Sequence, residues 1–106
     1  MKTSEVLKQA KALIVNPENW MQGDYTNNEG CFCSLGAIAK VSLVDWMYAG
    51  NQPATKLLRQ VVNTEMKAEG FSPDVNFAQY NDTRTHTEVM EAFDKAITLA
   101  QAQEVS

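Results

Sequence analysis

The sequence predicts an all-α protein: a compact single-domain bundle of about four main helices around a buried central helix (about 34–49), with a short extra helix near 73–80. Three observations lead there. Apolar residues recur at i, i+3, i+4 and i+7 in segments near both ends and in the middle of the chain. Residues 34–49, "SLGAIAKVSLVDWMYA", are apolar nearly all round, the mark of a helix with no solvent face. The prolines at 17, 53 and 73 each stand where a helix or turn would start, the position proline tolerates best.

The first helix covers about residues 3–15, with Val6, Leu7, Ala10, Leu13 and Ile14 in one stripe and Lys8, Gln9 and Lys11 outside it. It stops at Asn16-Pro17, because a residue before proline avoids the helical region. Asn16 then caps a short turn that carries Glu18 and Trp20. "GDYTNNEGC", residues 23–31, reads as loop, with a short hairpin only weakly signalled. In the central helix the alanines and the length outweigh the β-branched residues. Gly36 and Ala37 would let a neighbouring backbone approach, and Gly50 would end the helix in a left-handed cap. The next helix covers about 53–69, with Leu57, Leu58, Val61, Val62, Glu65 and Met66 at helical spacing and Gly70 as cap. Ser72-Pro73 opens the short helix. Thr85-His86-Thr87-Glu88 has the capping-box pattern and opens an amphipathic helix over 86 to about 103. Its inner face is Val89, Met90, Phe93, Ala96, Ile97 and Ala100, and the tail "QEVS" is expected to fray.

One domain over residues 1–106 suits both length and composition, since 44% apolar and 21% charged residues are ordinary for a globular chain. The net charge is −4, with no lysine–arginine run. Phosphate neutralisation needs clustered cations, so no nucleic-acid partner is expected. No stretch approaches the length of a membrane span, and the N-terminus lacks the continuous apolar core of a signal peptide. With two cysteines and no export signal, a reducing cytoplasm is the expected setting.

The order "NWMQG", "CSLGAI", "YNDTRTHTEVMEAFDKAI" resembles DUF6197, a bacterial and phage family of unknown function. The matching positions are Trp20, Gln22, Gly23, Cys33, Gly36, Ala37, Asn81 and Asp82, and the resemblance spans nearly the whole chain. It implies a fold and an origin in a bacterium, phage or mobile element, and no activity. The segment between Gln-Gly and the cysteine, "DYTNNEGCF", is shorter here than in many relatives, so any site it builds is reduced.

The chemistry the residues offer is sparse. Two cysteines one residue apart and a single distant histidine do not make a zinc site, and no metal or other cofactor is expected. A Cys31–Cys33 disulfide is strained and disfavoured. Cys33 begins a helix, where the dipole favours thiolate, and His86 and Asn81 could complete a Cys–His–Asn arrangement. Against that, cysteine is among the most buried residue types, and His86 fits a solvated first turn. The better-weighted expectation is a buried Cys33 packed on Trp20 or the last helix, and a more exposed, dispensable Cys31. Gln22, Cys33, Asn81 and Asp82 could together floor a pocket for a small polar ligand, although Asx residues before a helix more often cap or turn. Trp46, Met47 and Tyr48 end the central run; if exposed, Trp46 and Tyr48 make a patch for a protein partner. The functional expectation is therefore a non-enzymatic interaction or accessory domain with an unidentified protein partner. The alternative is a small ligand-binding or cysteine-dependent enzyme.

Overall fold

A computed structural model of the chain describes residues 2–22, 26–27, 30–68, 81–82 and 84–105, the side chains of 46, 47, 66–68 and 105 excepted. The helices are α1 (Thr3–Ile14), α2 (Ser34–Ser42), α3 (Trp46–Ala49), α4 (Pro53–Ala68) and α5 (His86–Val105), with a 3-10 turn at Pro17–Asn19. Among the described residues there is no strand. Isolated bridges from Phe32 to Trp20 and Thr26 are the only β-type pairings there, so the weakly signalled hairpin reduces to one pinned residue. The expected helix near 73–80 and the caps at Ser72 and Gly70 lie outside the described residues.

The boundaries follow local chemistry. Asn16 Oδ1 accepts the Glu18 N–H at 3.1 Å, with Pro17 in the first position of the turn. At the start of α5 the capping box is closed both ways: Glu88 N–H donates to Thr85 Oγ1 at 3.2 Å, and Thr85 N–H donates to Glu88 Oε1 at 3.2 Å. The Thr85 N–H, and with it the Thr85 hydroxyl, donates to Glu88 Oε1, and these two bonds hold the Glu88 carboxyl below the ordinary carboxylate value.

The long apolar run departs from expectation. It is two helices, because Leu43 takes the left-handed conformation (φ 57°, ψ 37°) after α2. The Leu43 N–H reaches Lys40 O at 3.4 Å and the Val44 N–H reaches Ala39 O at 3.2 Å, the pairing of a Schellman termination. Asp45 O then accepts the Tyr48 N–H at 2.9 Å as α3 begins. Gly50 is not left-handed; among the described residues only Leu43 and Gly30 have positive φ. Instead, the Asn51 and Gln52 N–H groups bond back to Tyr48 and Ala49, and buried Thr55 donates its hydroxyl to Ala49 O at 2.5 Å. Those bonds absorb the carbonyls that a glycine cap would have served.

One core joins the helices. Leu7, Ala10 and Ile14 of α1 meet Ala37 and Ile38 of α2, Leu57, Leu58, Val61 and Val62 of α4, and Val89, Phe93, Ala96 and Ala100 of α5. The element in the middle is α1, which packs on α2, α4 and α5; α2 is buried on one side without being the hub. Three ties run between α1 and α5: Ser4 to Glu104, Lys11 to Asp94 at 2.6 Å, and Ile14 O to His86 Nε2 at 2.7 Å. Their order makes the two helices antiparallel along their whole length. It also overturns the fraying expected of "QEVS", since α5 continues to Val105 with Glu104 held against α1.

Among the described residues no helix is long and apolar enough to cross a membrane.

Candidate functional site

The sequence places Trp20, Gln22, Cys33, Asn81 and Asp82 in three separate segments, and the fold gathers all three at the N-terminus of α2. Asn81 is the node, with none of its surface exposed. Its Oδ1 accepts three hydrogen bonds: from Trp20 Nε1 at 2.7 Å, from Ser34 Oγ at 2.8 Å and from the Ser34 N–H at 3.1 Å. Its Nδ2 donates to Met21 O at 2.9 Å and to Asp82 Oδ1 at 3.5 Å. Three donors on one side of the amide and a carbonyl on the other leave one orientation for the group. Gln22 completes the ring by donating from Nε2 to Asn81 O at 2.9 Å and Arg84 O at 3.2 Å.

The node has a local reason. The first N–H groups of a helix lack partners within it. In α2 two of them are served by side chains: Ser34 N–H by Asn81 from across the fold, and Gly36 N–H by Cys33 Sγ at 3.4 Å. A buried helix end is thus satisfied from two directions. Backbone bonds lace the flanking segment into place, with Met21 N–H on Phe32 O at 3.0 Å and Phe32 N–H on Asn19 O at 2.9 Å.

Cys33 is buried and reduced, seated where α2 begins. Burial pushes its thiol above the ordinary value of 9.0, and nearby Asp82 pushes the same way. The N–H groups of Gly36 and Leu35 pull in the opposite direction without overcoming the burial. Helix position alone suggested a thiolate; desolvation decides the sign. Cys31 is half-buried, and its Sγ donates to Glu18 O at 3.2 Å. His86 packs its ring edge-on against Trp20 (centroids 5.6 Å apart, planes at 63°) and directs Nε2 at Ile14 O. Neither His86 nor the Asn81 amide is placed on Cys33, so the Cys–His–Asn ordering does not form. Among the described residues no cluster of three or more His, Cys, Asp or Glu is arranged to hold a metal.

Among the described residues, two open spaces lie elsewhere. A cleft of about 750 Å³ runs between α1 and α2, lined by Leu13, Asn19, Phe32, Gly36, Lys40 and Asp45 among others. None of Gln22, Cys33, Asn81 or Asp82 lines it. Gly36, expected at a close crossing, borders this cleft, whereas Ala37 lies wholly in the core. A second, more apolar hollow of about 520 Å³ lies between α4 and α5, around Val61 and Leu99.

The opposite end of α2 carries a feature the sequence did not show. Leu43 is 90% exposed in its left-handed conformation, and Tyr48, a few residues on, is 60% exposed. The Trp46 side chain lies outside the described residues, so of the expected Trp46–Tyr48 patch only Tyr48 is described, and it is exposed. An aspartate inside an apolar run, Asp45, was the available sign that a new helix starts there.

A family model described as a family of unknown function, DUF6197, matches residues 1–99. No curated protein and no solved structure matches the chain.

Proposed function

Because the chain belongs to DUF6197, a family of unknown function, it inherits no activity, and we propose from its own geometry that it is a non-enzymatic protein-interaction domain. The observation that carries this reading is Leu43. Left-handed backbone costs a side-chain-bearing residue about 1–2 kcal/mol, and a leucine 90% exposed gains little burial in return. Glycine or asparagine would end α2 at lower cost. A strained, outward-facing leucine, with an exposed tyrosine five residues on, supports a group kept for contact with another protein. The polar residues that could have served catalysis support the same reading, since Asn81 spends its amide on Trp20, Ser34 and Met21, and the Cys33 thiol is buried. The cytoplasmic setting and the phage or mobile-element origin belong to this proposal; its two free cysteines suit a reducing compartment.

The test compares baits immobilised at equal density: wild type, Leu43→Asn and Tyr48→Ser. Asparagine accepts the left-handed angles, so the fold survives while the apolar group goes. Proteins retained from bacterial lysate by wild type and lost from Leu43→Asn are the expected result. Equal recovery by both baits, or none above an empty support, overturns the proposal.

The cleft between α1 and α2 favours a second reading, a small polar ligand held between Lys40 and Asp45 over Phe32. Line broadening or shifts at Gly36 and Phe32 amides on titration with zwitterionic metabolites would support it. Unchanged spectra at millimolar ligand would remove it.

A further inference from the structure

The residue that serves as N-cap of α1 is Lys2, and no side chain of that position caps the helix. The missing partner comes from the far end of the chain. Glu104, in the last turn of α5, accepts the Ser4 N–H at 3.1 Å on one carboxylate oxygen and the Ser4 hydroxyl at 2.8 Å on the other. Ser4 is buried at 5% exposure, so its polar atoms have little water to fall back on. We propose that Glu104 is a proton-releasable clasp, which as a carboxylate fastens the end of α5 across the start of α1 and as a neutral acid lets it go.

The surrounding charges set the direction. Lys2 and Lys8 favour the carboxylate, and Glu5 and the uncharged Gln101 border the same hollow. From α4, Lys56 faces the adjoining hollow with Thr3 and Gln103. The two Ser4 bonds, the backbone one first, hold the Glu104 carboxyl below its ordinary value of 4.5. A carboxyl lowered in the folded state stabilises above its unfolded value and loses that contribution as pH falls through the folded one. The clasp is therefore closed at neutral pH and opens in acid. Opening frees the last turn of α5, whose Gln103 borders the hollow shared with Thr3, Pro53 and Lys56, from the start of α1.

The experiment is NMR on the full chain, in wild type, Glu104→Gln, Glu104→Ala and Ser4→Ala. The side-chain carboxyl of Glu104 is expected to titrate below its ordinary midpoint, with the Ser4 amide shift following the same curve, and Ser4→Ala, which removes the hydroxyl bond and keeps the backbone one, is expected to raise the midpoint only part of the way to the ordinary value. At neutral pH, Glu104→Ala is expected to lower amide-exchange protection of residues 101–105 by about five-fold, the factor of a typical N-cap. Residues 89–96 should hold their protection, which separates a local release from general unfolding. Glu104→Gln should retain part of that protection and abolish its pH dependence. An ordinary Glu104 midpoint in wild type, or unchanged protection of 101–105 in Glu104→Ala, overturns the clasp.

Discussion

The two ends of α2 are built on opposite terms. At the N-terminal end, Asn81, Trp20 and Ser34 share hydrogen bonds inside the fold, and Cys33 caps the helix with a buried sulfur. At the C-terminal end, a leucine adopts a backbone that glycine would take more cheaply and turns its side chain to solvent. One end removes every local cost that chemistry can remove; the other keeps one it could shed. A residue whose loss would unfold the protein speaks of folding, whereas a residue whose replacement would stabilise it speaks of use. The functional search therefore belongs at Leu43 and Tyr48 more than among the polar side chains that first draw the eye.

The largest expected effect breaks the satisfied end. Asn81→Ala leaves the half-buried Trp20 indole N–H and both donors of buried Ser34 without their acceptor. Each such buried group costs about 1–3 kcal/mol, so the loss should be on the order of 4 kcal/mol in urea unfolding. A loss under about 1 kcal/mol would show that water replaces the amide and that the node is not structural. Trp20→Phe removes a single bond from the same node and should cost about 1–2 kcal/mol, read from the same denaturation series.

At the other end the sign reverses. Leu43→Gly relieves about 1–2 kcal/mol of left-handed strain against about 0.5–1 kcal/mol of added chain entropy. Net stabilisation of about 0.5–1 kcal/mol should appear as a raised melting temperature. Destabilisation would mean that Leu43 packs usefully where it stands, and the contrast between the two ends would weaken.

The smallest effect sharpens the role of Cys33. Its sulfur already accepts the Gly36 N–H, and a serine oxygen accepts that bond better. Cys33→Ser should thus cost less than about 1 kcal/mol, below the 1–3 kcal/mol of an unpartnered buried hydroxyl. Alkylation separates the two cysteines more sharply. With its thiol pushed above 9.0 and buried, Cys33 should resist iodoacetamide in folded protein at pH 7–9, while half-buried Cys31 reacts first. Fast modification of Cys33 at neutral pH would reinstate a nucleophile.

What the sequence disclosed was what residues close in sequence decide. Thr85 and Glu88 are three apart, so the start of α5 was readable from the chain alone, as was the Asn16-Pro17 stop after α1. The break at Leu43 was not, because neither glycine nor proline marks it and every residue from Ile38 to Val44 except Lys40 and Ser42 is apolar. Nor was the role of Asn81. Local rules give an Asx residue a turn or cap on its own helix, and Asn81 does cap a helix, but one 47 residues upstream. Gln22, Asn81 and Asp82 lie together at the start of α2. Whether their meeting leaves an empty pocket or a bonded node depends on where Trp20 and Ser34 arrive, and no spacing rule carries that.

The antiparallel pairing of α1 with α5 has a consequence for how the chain is made. The apolar stripe of the first helix, Leu7, Ala10 and Ile14, shares its core with Val89, Phe93, Ala96 and Ala100 of the last. During synthesis α1 leaves the ribosome well before α5 and waits for it before it is fully covered. At about 5–20 residues per second, that leaves its stripe open to chaperones or to other nascent chains for several seconds.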